Sequence, residues 1–552
     1  MSSTRKASSK RVLKSKADPS WVRARRDLLE RVKDEVTRRL GTEPSDVREF
    51  TTRYESSLRK PWKVSTKQDL VHAIERADIV FGGDFHAYGQ AQRTHLKILR
   101  SLPVSRPVVL ALECFPITAQ KFLDSYVRGD IDLHELRLKS DWDGVWGFPW
   151  ENFKPLFELA RLRGFKLVAL NAKPRSGPEL RFREKRAAGI ITGVKRKNPD
   201  ALIYVVFGDL HVANMHLPAE VDRLLPGLKR VVVHLNSDRI YFQLATKGLE
   251  QTVDVVRLPK DEFCVISSPP WVKWQSYLLF LDRTVDHDLE DADAEEHDST
   301  DQVVALVQLI GSDLHLSRGS VKGDDLAVYT QDDERIWKSL KKFLTREELS
   351  IAQFLLSSGK SFFVPGAGAA YLSRETINHA AGLAGAYVHA KQSGLTRPPW
   401  KLPKDFQSLV WVEAVSYFLS KLINHKRQSE TLYDLRAQLD ALGAQEPARE
   451  AMRLALDQTL SELLWLRRGR RRPILKPRRK SSYIEAARIV GGMMGERLYL
   501  AFRSRKLNEK GVVALLKINP MKKDFATEYE SILERIDRWV GEIESTIRKE
   551  RL

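Results

Sequence analysis

Two short stretches place a carboxylate and an imidazole directly after a run of apolar β-formers. They are Val80-Phe81-Gly82-Gly83-Asp84-Phe85-His86 and Val206-Phe207-Gly208-Asp209-Leu210-His211. Each breaks its strand pattern at glycine and then delivers Asp-x-His. A third apolar run ends at Glu113, and two more end at Asn171 and His234. Two histidines with one or two carboxylates suit a divalent metal such as Zn, Mn, Co or Fe, with positions left open for water or substrate. Such a metal would activate water for hydrolysis, with His86 and His211 as imidazole ligands and the catalytic carboxylates drawn from Asp84, Asp209 and Glu113. Without a metal, Glu113 or His86 could activate water by acid–base means. A third use of the same histidines is axial ligation of haem iron. The competing structural reading is that Asp84 and Asp209 cap the following helices while the histidines merely pack.

The elements that must position these residues read as alternating strand and helix. Strands are expected at 78–81, 107–112, 166–170, 202–207 and 230–233, with helices at 66–77, 90–102, 118–127, 152–163, 180–197 and 221–225. Continuous apolar runs of this kind, separated by helices, imply a mostly parallel sheet covered on both faces. All five strands end in polar residues, His86, Glu113, Asn171, His211 and His234. Ligands in open α/β sheets bind outside the carboxyl ends of the strands, so five such termini along one rim count against the packing reading. Between the second and third strands lies an aromatic insertion, Trp142-Asp143-Gly144-Val145-Trp146-Gly147-Phe148-Pro149-Trp150. It reads as a loop anchored by its rings, or as a wall for a flat or apolar ligand.

The chain has 552 residues, which calls for more than one domain. Cys114 and Cys264 are its two cysteines, too few for a disulfide scaffold or a cysteine zinc site. Residues 1–20 read as a disordered basic tail and 21–64 as a helical extension, with the α/β domain over 65–285. An acidic linker follows at 286–301, where nine of sixteen residues are Asp or Glu, without the glycine and terminal glutamate of a calcium loop. From 302 to 552 apolar residues recur at helical spacing, giving a helical domain of unassigned role.

The net charge of +20 favours polyanionic neighbours. Much of the excess lies in 467–480 (RRGRRRPILKPRRK), which is either a solvated loop or the contact for an anionic partner such as nucleic acid or lipid. No aromatic residues interleave it, and no helix-turn-helix, zinc-finger or RNA-recognition signature accompanies it. No secretory or lipoprotein signal is read at the N-terminus and no segment reads as membrane-spanning, so a cytoplasmic location is expected.

Several of these residues together resemble the ChaN-type haem-binding uptake domain of the wider Tiki superfamily, which includes erythromycin esterase and TraB relatives. They are Gly83-Asp84-Phe85-His86, LALECF with Glu113, Gln120, Leu123-Asp124, Tyr126 and Gly129. The Trp-rich loop, VALN at 168–171 and Gly208-Asp209-Leu210-His211 complete the set. The resemblance spans roughly residues 65–275. It implies two activities: haem binding through His and Tyr, or hydrolysis of an ester or peptide through the Gly-x-x-His histidines and the acid, in Tiki proteins with a metal. His86, Glu113 and His211 fall on the family's functional positions, His211 being the nearer match to a haem ligand and Tyr241 a nearby candidate for the tyrosine. Asp84 stands where many relatives carry Glu. The leading expectation is a haem- or iron-binding protein. A metal-dependent hydrolase is the alternative, and a non-catalytic scaffold with an anionic partner the second.

Overall fold

The protein is described by a computed structural model covering residues 19–540, apart from 42–43, 104–105, 173–179, 286–298, 318, 320, 331–332, 375, 442–446 and 475. Most of the basic tail and of the acidic stretch therefore lies outside the described residues. The chain divides into two compact units, within Met1–Glu290 and Asp291–Lys549.

The first unit is built on an eight-stranded sheet, ordered β1-β7-β8-β6-β2-β5-β3-β4. The strands are β1 (Lys63–Ser65), β2 (Ile79–Asp84), β3 (Val108–Pro116), β4 (Lys166–Asn171), β5 (Leu202–Gly208), β6 (Arg230–Leu235), β7 (Val255–Leu258) and β8 (Glu262–Val265). From β8 through β6, β2, β5 and β3 to β4 every pairing is parallel; β7 runs antiparallel to β8, and β1 antiparallel to β7. The expected mostly parallel sheet is therefore present. The β7–β8 hairpin and β1 extend it where the periodicity gave no signal.

Every residue of β2 and β5 is buried, as expected for strands covered on both faces. Side chains alternate across the pleat. Ile79, Phe81, Ile203, Val205 and Phe207 join one core with Ala187 and Ile191 of the Leu180–Lys197 helix and Val221 of the Leu217–Leu224 helix. On the opposite face the Gly89–Ser101 helix delivers His95 into the sheet. Its Nε2 donates to the Gly83 carbonyl at 2.9 Å and its Nδ1 accepts from the Tyr204 hydroxyl at 3.0 Å. A side chain at Gly82 would collide with this ring, its Cβ lying 2.5 Å from His95 Cε1.

The chain leaves β2 toward β3, passing β5, and leaves β5 toward β6, passing β2. The two connections diverge, which makes the carboxyl ends of β2 and β5 the switch point of the sheet. Asp84 pairs in register with Gly208, so the two Asp-x-His loops are next-door neighbours. The Pro19–Leu40 helix packs on the Pro270–Val285 helix through Val36, Leu278 and Leu281. The Ser45–Ser57 helix, within the 21–64 segment read as a helical extension, also belongs to this unit.

The second unit is helical, with ten helices among the described residues from Ser299–Asp313 to Phe525–Val540. They account for the apolar residues that recur at helical spacing from 302 onward. Three three-residue strands, Ala327–Tyr329, Phe362–Val364 and Ala369–Tyr371, form a small sheet that the sequence did not announce. The small-residue run at 380–386 permits close helix approach, since a Cβ on Gly385 would lie 2.8 Å from the Ser416 carbonyl. Lys421 is wholly buried, and its Nζ donates to both Glu496 oxygens at 2.8 and 2.7 Å and to the Arg427 carbonyl. The basic stretch links the Pro447–Arg468 and Lys480–Arg503 helices and is mostly exposed. Within it, Arg471 pairs with Glu530 at 2.6 Å.

Candidate functional site

Three adjacent strand ends carry the site. β5 lies between β2 and β3, with Leu112 of β3 in register with Val206. The sheet therefore delivers His86, Glu113 and His211 to one place, above Gly208. A Cβ built on Gly208 would meet Glu113 Oε2 at 3.3 Å, His86 Nε2 at 3.4 Å and His211 Cδ2, beside Nε2 in the ring, at 3.4 Å. His86 Nε2 itself stands 3.7 Å from Glu113 Oε2.

Each histidine is held from behind by a carboxylate. His86 Nδ1 lies 2.8 Å from Asp84 Oδ2, and Asp84 Oδ1 accepts from Gln92 Nε2 at 2.5 Å. His211 Nδ1 lies 2.8 Å from Glu184 Oε1, which His216 Nδ1 also approaches at 3.4 Å. A carboxylate on Nδ1–H fixes the ring's orientation and leaves the lone pair of the neutral imidazole on Nε2. For His86, burial disfavours the cation, but Asp84 and then Glu113 outweigh it, so its pKa is raised above the ordinary value. For Glu184, burial pushes upward and the bonds from His211 and His216 outweigh it, leaving the carboxyl below its usual range.

Glu113 is almost wholly buried and fully engaged. Arg183 donates to Oε1 and the Gly208 amide donates to Oε2 at 2.6 Å. Burial would raise its pKa, but Arg183 foremost, then His86 and His211, hold it ionised and below the usual range. Among the described residues, no group of three or more His, Cys, Asp or Glu is arranged to hold a metal ion. The expected His86, Glu113 and His211 metal triad converges in space without forming such a centre.

The aromatic insertion is anchored by its rings, the first of its two expected readings. Trp142 is buried among Phe115, Trp150 and Phe153, and its Nε1 donates to the Phe148 carbonyl at 2.7 Å. That bond sets the loop so that Trp146 and Phe148 stand beside His86, ring centroids 4.5 and 5.0 Å away. Across the site, Phe50 of the Ser45–Ser57 helix stacks on His216 at 4.1 Å and meets His211 edge-on at 5.3 Å.

The remaining expected residues sit elsewhere. Asp209 follows β5 directly; burial raises its pKa, with Lys273 the foremost opposing charge. His234 is fully buried with its Nε2 3.2 Å from Glu262, in a network with Lys60. Asn171 ends β4, at the sheet's edge. Tyr241 is fully buried in the Asp238–Thr246 helix, its ring edge-on to Phe242 and Trp271, not open to a ligand. Sequence reasoning missed Arg183 and Glu184, consecutive residues that reach Glu113 and His211. A lone acid in the basic run Arg181-Phe182-Arg183-Glu184-Lys185-Arg186 was the available signal.

Residues 70–177 match the family model described as haem-binding uptake, Tiki superfamily, ChaN. The chain thus contains a ChaN-like domain in its N-terminal half. Two solved structures are similar at low score. Cofacial haem binding to ChaN of Campylobacter jejuni gives 18% identity, coverage of 31% of this chain and 86% of that one, and a TM-score of 0.24. The type III effector HopBA1 gives 11%, 38%, 97% and 0.25 in the same order. No curated protein matches the chain. Among the described residues no helix is long and apolar enough to cross a membrane.

Proposed function

We propose that the first unit binds haem, with iron ligated by imidazole at the carboxyl rim of β2 and β5. The observation that carries this reading is the pair of histidines whose Nδ1 atoms are both held by carboxylates, His86 by Asp84 and His211 by Glu184. Their Nε2 atoms are thereby left as ligands of fixed orientation. His86 is the more open of the two, with 21% of its side chain exposed against 7% for His211. Trp146 and Phe148 give its surroundings the flat apolar character that a porphyrin face packs against. The donor set fits the group: His86 and His211 would hold the iron, and Asp84 and Glu184 would tune their basicity. Bound haem would supply redox-active iron, whose potential the imidazole ligands would tune. The family match over residues 70–177, which includes His86 and Glu113, supports the same reading. Titrating the purified protein with hemin tests it through a saturable Soret shift.

A second reading rests on the proximity of His86 Nε2 to Glu113 Oε2. A raised-pKa imidazole beside a buried carboxylate can act as general acid or base on an ester or peptide without metal. An esterase and peptidase panel with His86→Ala as control tests it; no His86-dependent turnover removes it. The exposed arginines of 467–480 are proposed as the contact for an anionic partner, tested by salt-sensitive retention on a polyanionic resin.

A further inference from the structure

The helical unit holds a cavity of about 350 Å³, near the small end of the range for ligand sites. One part of its wall is apolar, made by Phe362, Trp400 and Leu409; another is polar, made by Lys360, Arg427 and Arg488. Three carboxylates also line it. Glu485 is taken by Lys360 at 3.0 Å, and Glu413 lies 3.6 Å from Arg488 Nε. Glu430 is exposed and, like Glu413, acts on Arg427 only from beyond ion-pair distance.

Arg427 is the cation left over. Its Nη1 donates to the Ser420 hydroxyl at 2.7 Å and to the Asn378 carbonyl at 3.3 Å, and its guanidinium lies 4.6 Å over the Tyr417 ring. Each of these partners is neutral, and among the described residues no carboxylate stands within ion-pair distance of it. A guanidinium held away from water, with its nearest carboxylates Glu413 and Glu430 beyond ion-pair distance, is only partly neutralised, and a bound oxyanion is the partner whose geometry its planar fork fits. Burial accordingly draws the pKa of Arg427 down.

Beside it His379 lies 3.0 Å from Ser361 Oγ and 3.3 Å from Ser373 Oγ through its Nδ1. Burial, and then Arg427, Arg374, Arg488 and Lys360, push its pKa down to about 4. The imidazole therefore stays neutral and adds hydrogen bonding without charge. Gly382 faces the space, since the sole atom within 4 Å of a Cβ built there is Arg427 Nη1, at 3.9 Å.

We propose that this cavity binds a small organic anion, its oxyanion head on Arg427 and its apolar body against Phe362 and Trp400. The experiment is isothermal titration of the full chain with phenyl phosphate and with benzoate, using benzyl alcohol as the neutral control. At least one anion binds saturably and more tightly than the alcohol. Arg427→Gln weakens it roughly 10- to 100-fold, the worth of one charge-assisted hydrogen bond. Because Arg427 also braces Asn378 and Ser420, Gly382→Leu serves as the second variant: it fills the space, removes no charge, and abolishes binding while the protein melts as before. The proposal is overturned by no saturable binding of either anion at millimolar concentration. Equal binding of the alcohol, or unchanged binding in folded Gly382→Leu, overturns it as well.

Discussion

His86 Nε2 stands 3.7 Å from Glu113 Oε2, although the strands that carry them do not pair with one another. β5 runs between them, and its last residue, Gly208, supplies the gap in which they meet. The site thus depends on a residue without a side chain as much as on the residues that have one.

Gly208→Ala is expected to keep the fold and weaken hemin binding. Its φ of −46° is open to any residue, so the backbone carries no strain. The new methyl would crowd Glu113, which Arg183 prevents from yielding. Thermal melts close to wild type beside a raised Kd for hemin check this.

Gly82→Ala behaves oppositely. Its Cβ would overlap the His95 ring, which two hydrogen bonds hold in place. A loss of about 1–3 kcal/mol is expected, the usual cost of overpacking a core. Urea unfolding of the first unit measures it.

Asp84→Asn and Glu184→Gln remove the carboxylates behind the two histidines without touching a bound ligand. Each is expected to lower hemin affinity by roughly 10–100-fold, as outer-shell changes do at metal-ligating histidines. The Soret maximum of the residual complex should shift as well, because ligand basicity changes; a purely structural role would leave the spectrum alone.

The titration of His86 has two consequences of opposite sense. Its folded pKa is raised above 6.5, so the protonated ring contributes stability that is present below that value and lost as pH rises through the folded pKa. The stability penalty of His86→Ala should therefore be larger at about pH 5.5 than at about pH 9, either side of an ordinary imidazole. Iron ligation needs the neutral ring, so the share of hemin affinity that His86 supplies should fall as pH drops through the same raised value. Paired melts and titrations across pH resolve both.

In the second unit, Lys421→Ala would strand the buried Glu496 carboxylate. Loss of about 3–5 kcal/mol is expected, the cost of breaking a buried ion pair from one side. Calorimetry of the variant checks it.

Much of this was legible in the sequence for a physical reason. Apolar runs buried on both faces announce parallel strands, and the polar residue that ends each run marks the rim. His86, Glu113 and His211 were found that way. Strand order was not legible, so periodicity alone did not separate these three, which converge, from Asn171 and His234, which do not; only the family resemblance set them apart. Arg183 and Glu184 escaped because a charged pair on a basic helix looks like solvated surface until the helix is laid on the sheet. Phe50 escaped because its stretch of the helical extension has few apolar positions to mark a buried face. That Arg427 lacks an ion pair is visible only when its direct partners, Ser420, Asn378 and Tyr417, are known.

The central claim is that His86 and His211 hold haem iron, and the direct measurement is hemin titration of the wild type beside His86→Ala, His211→Ala and the double variant. The account predicts a saturable Soret shift in the wild type, weakened in each single variant and lost in the double. A flat, non-saturating response in the wild type, or an undiminished shift in the folded double variant, would contradict it.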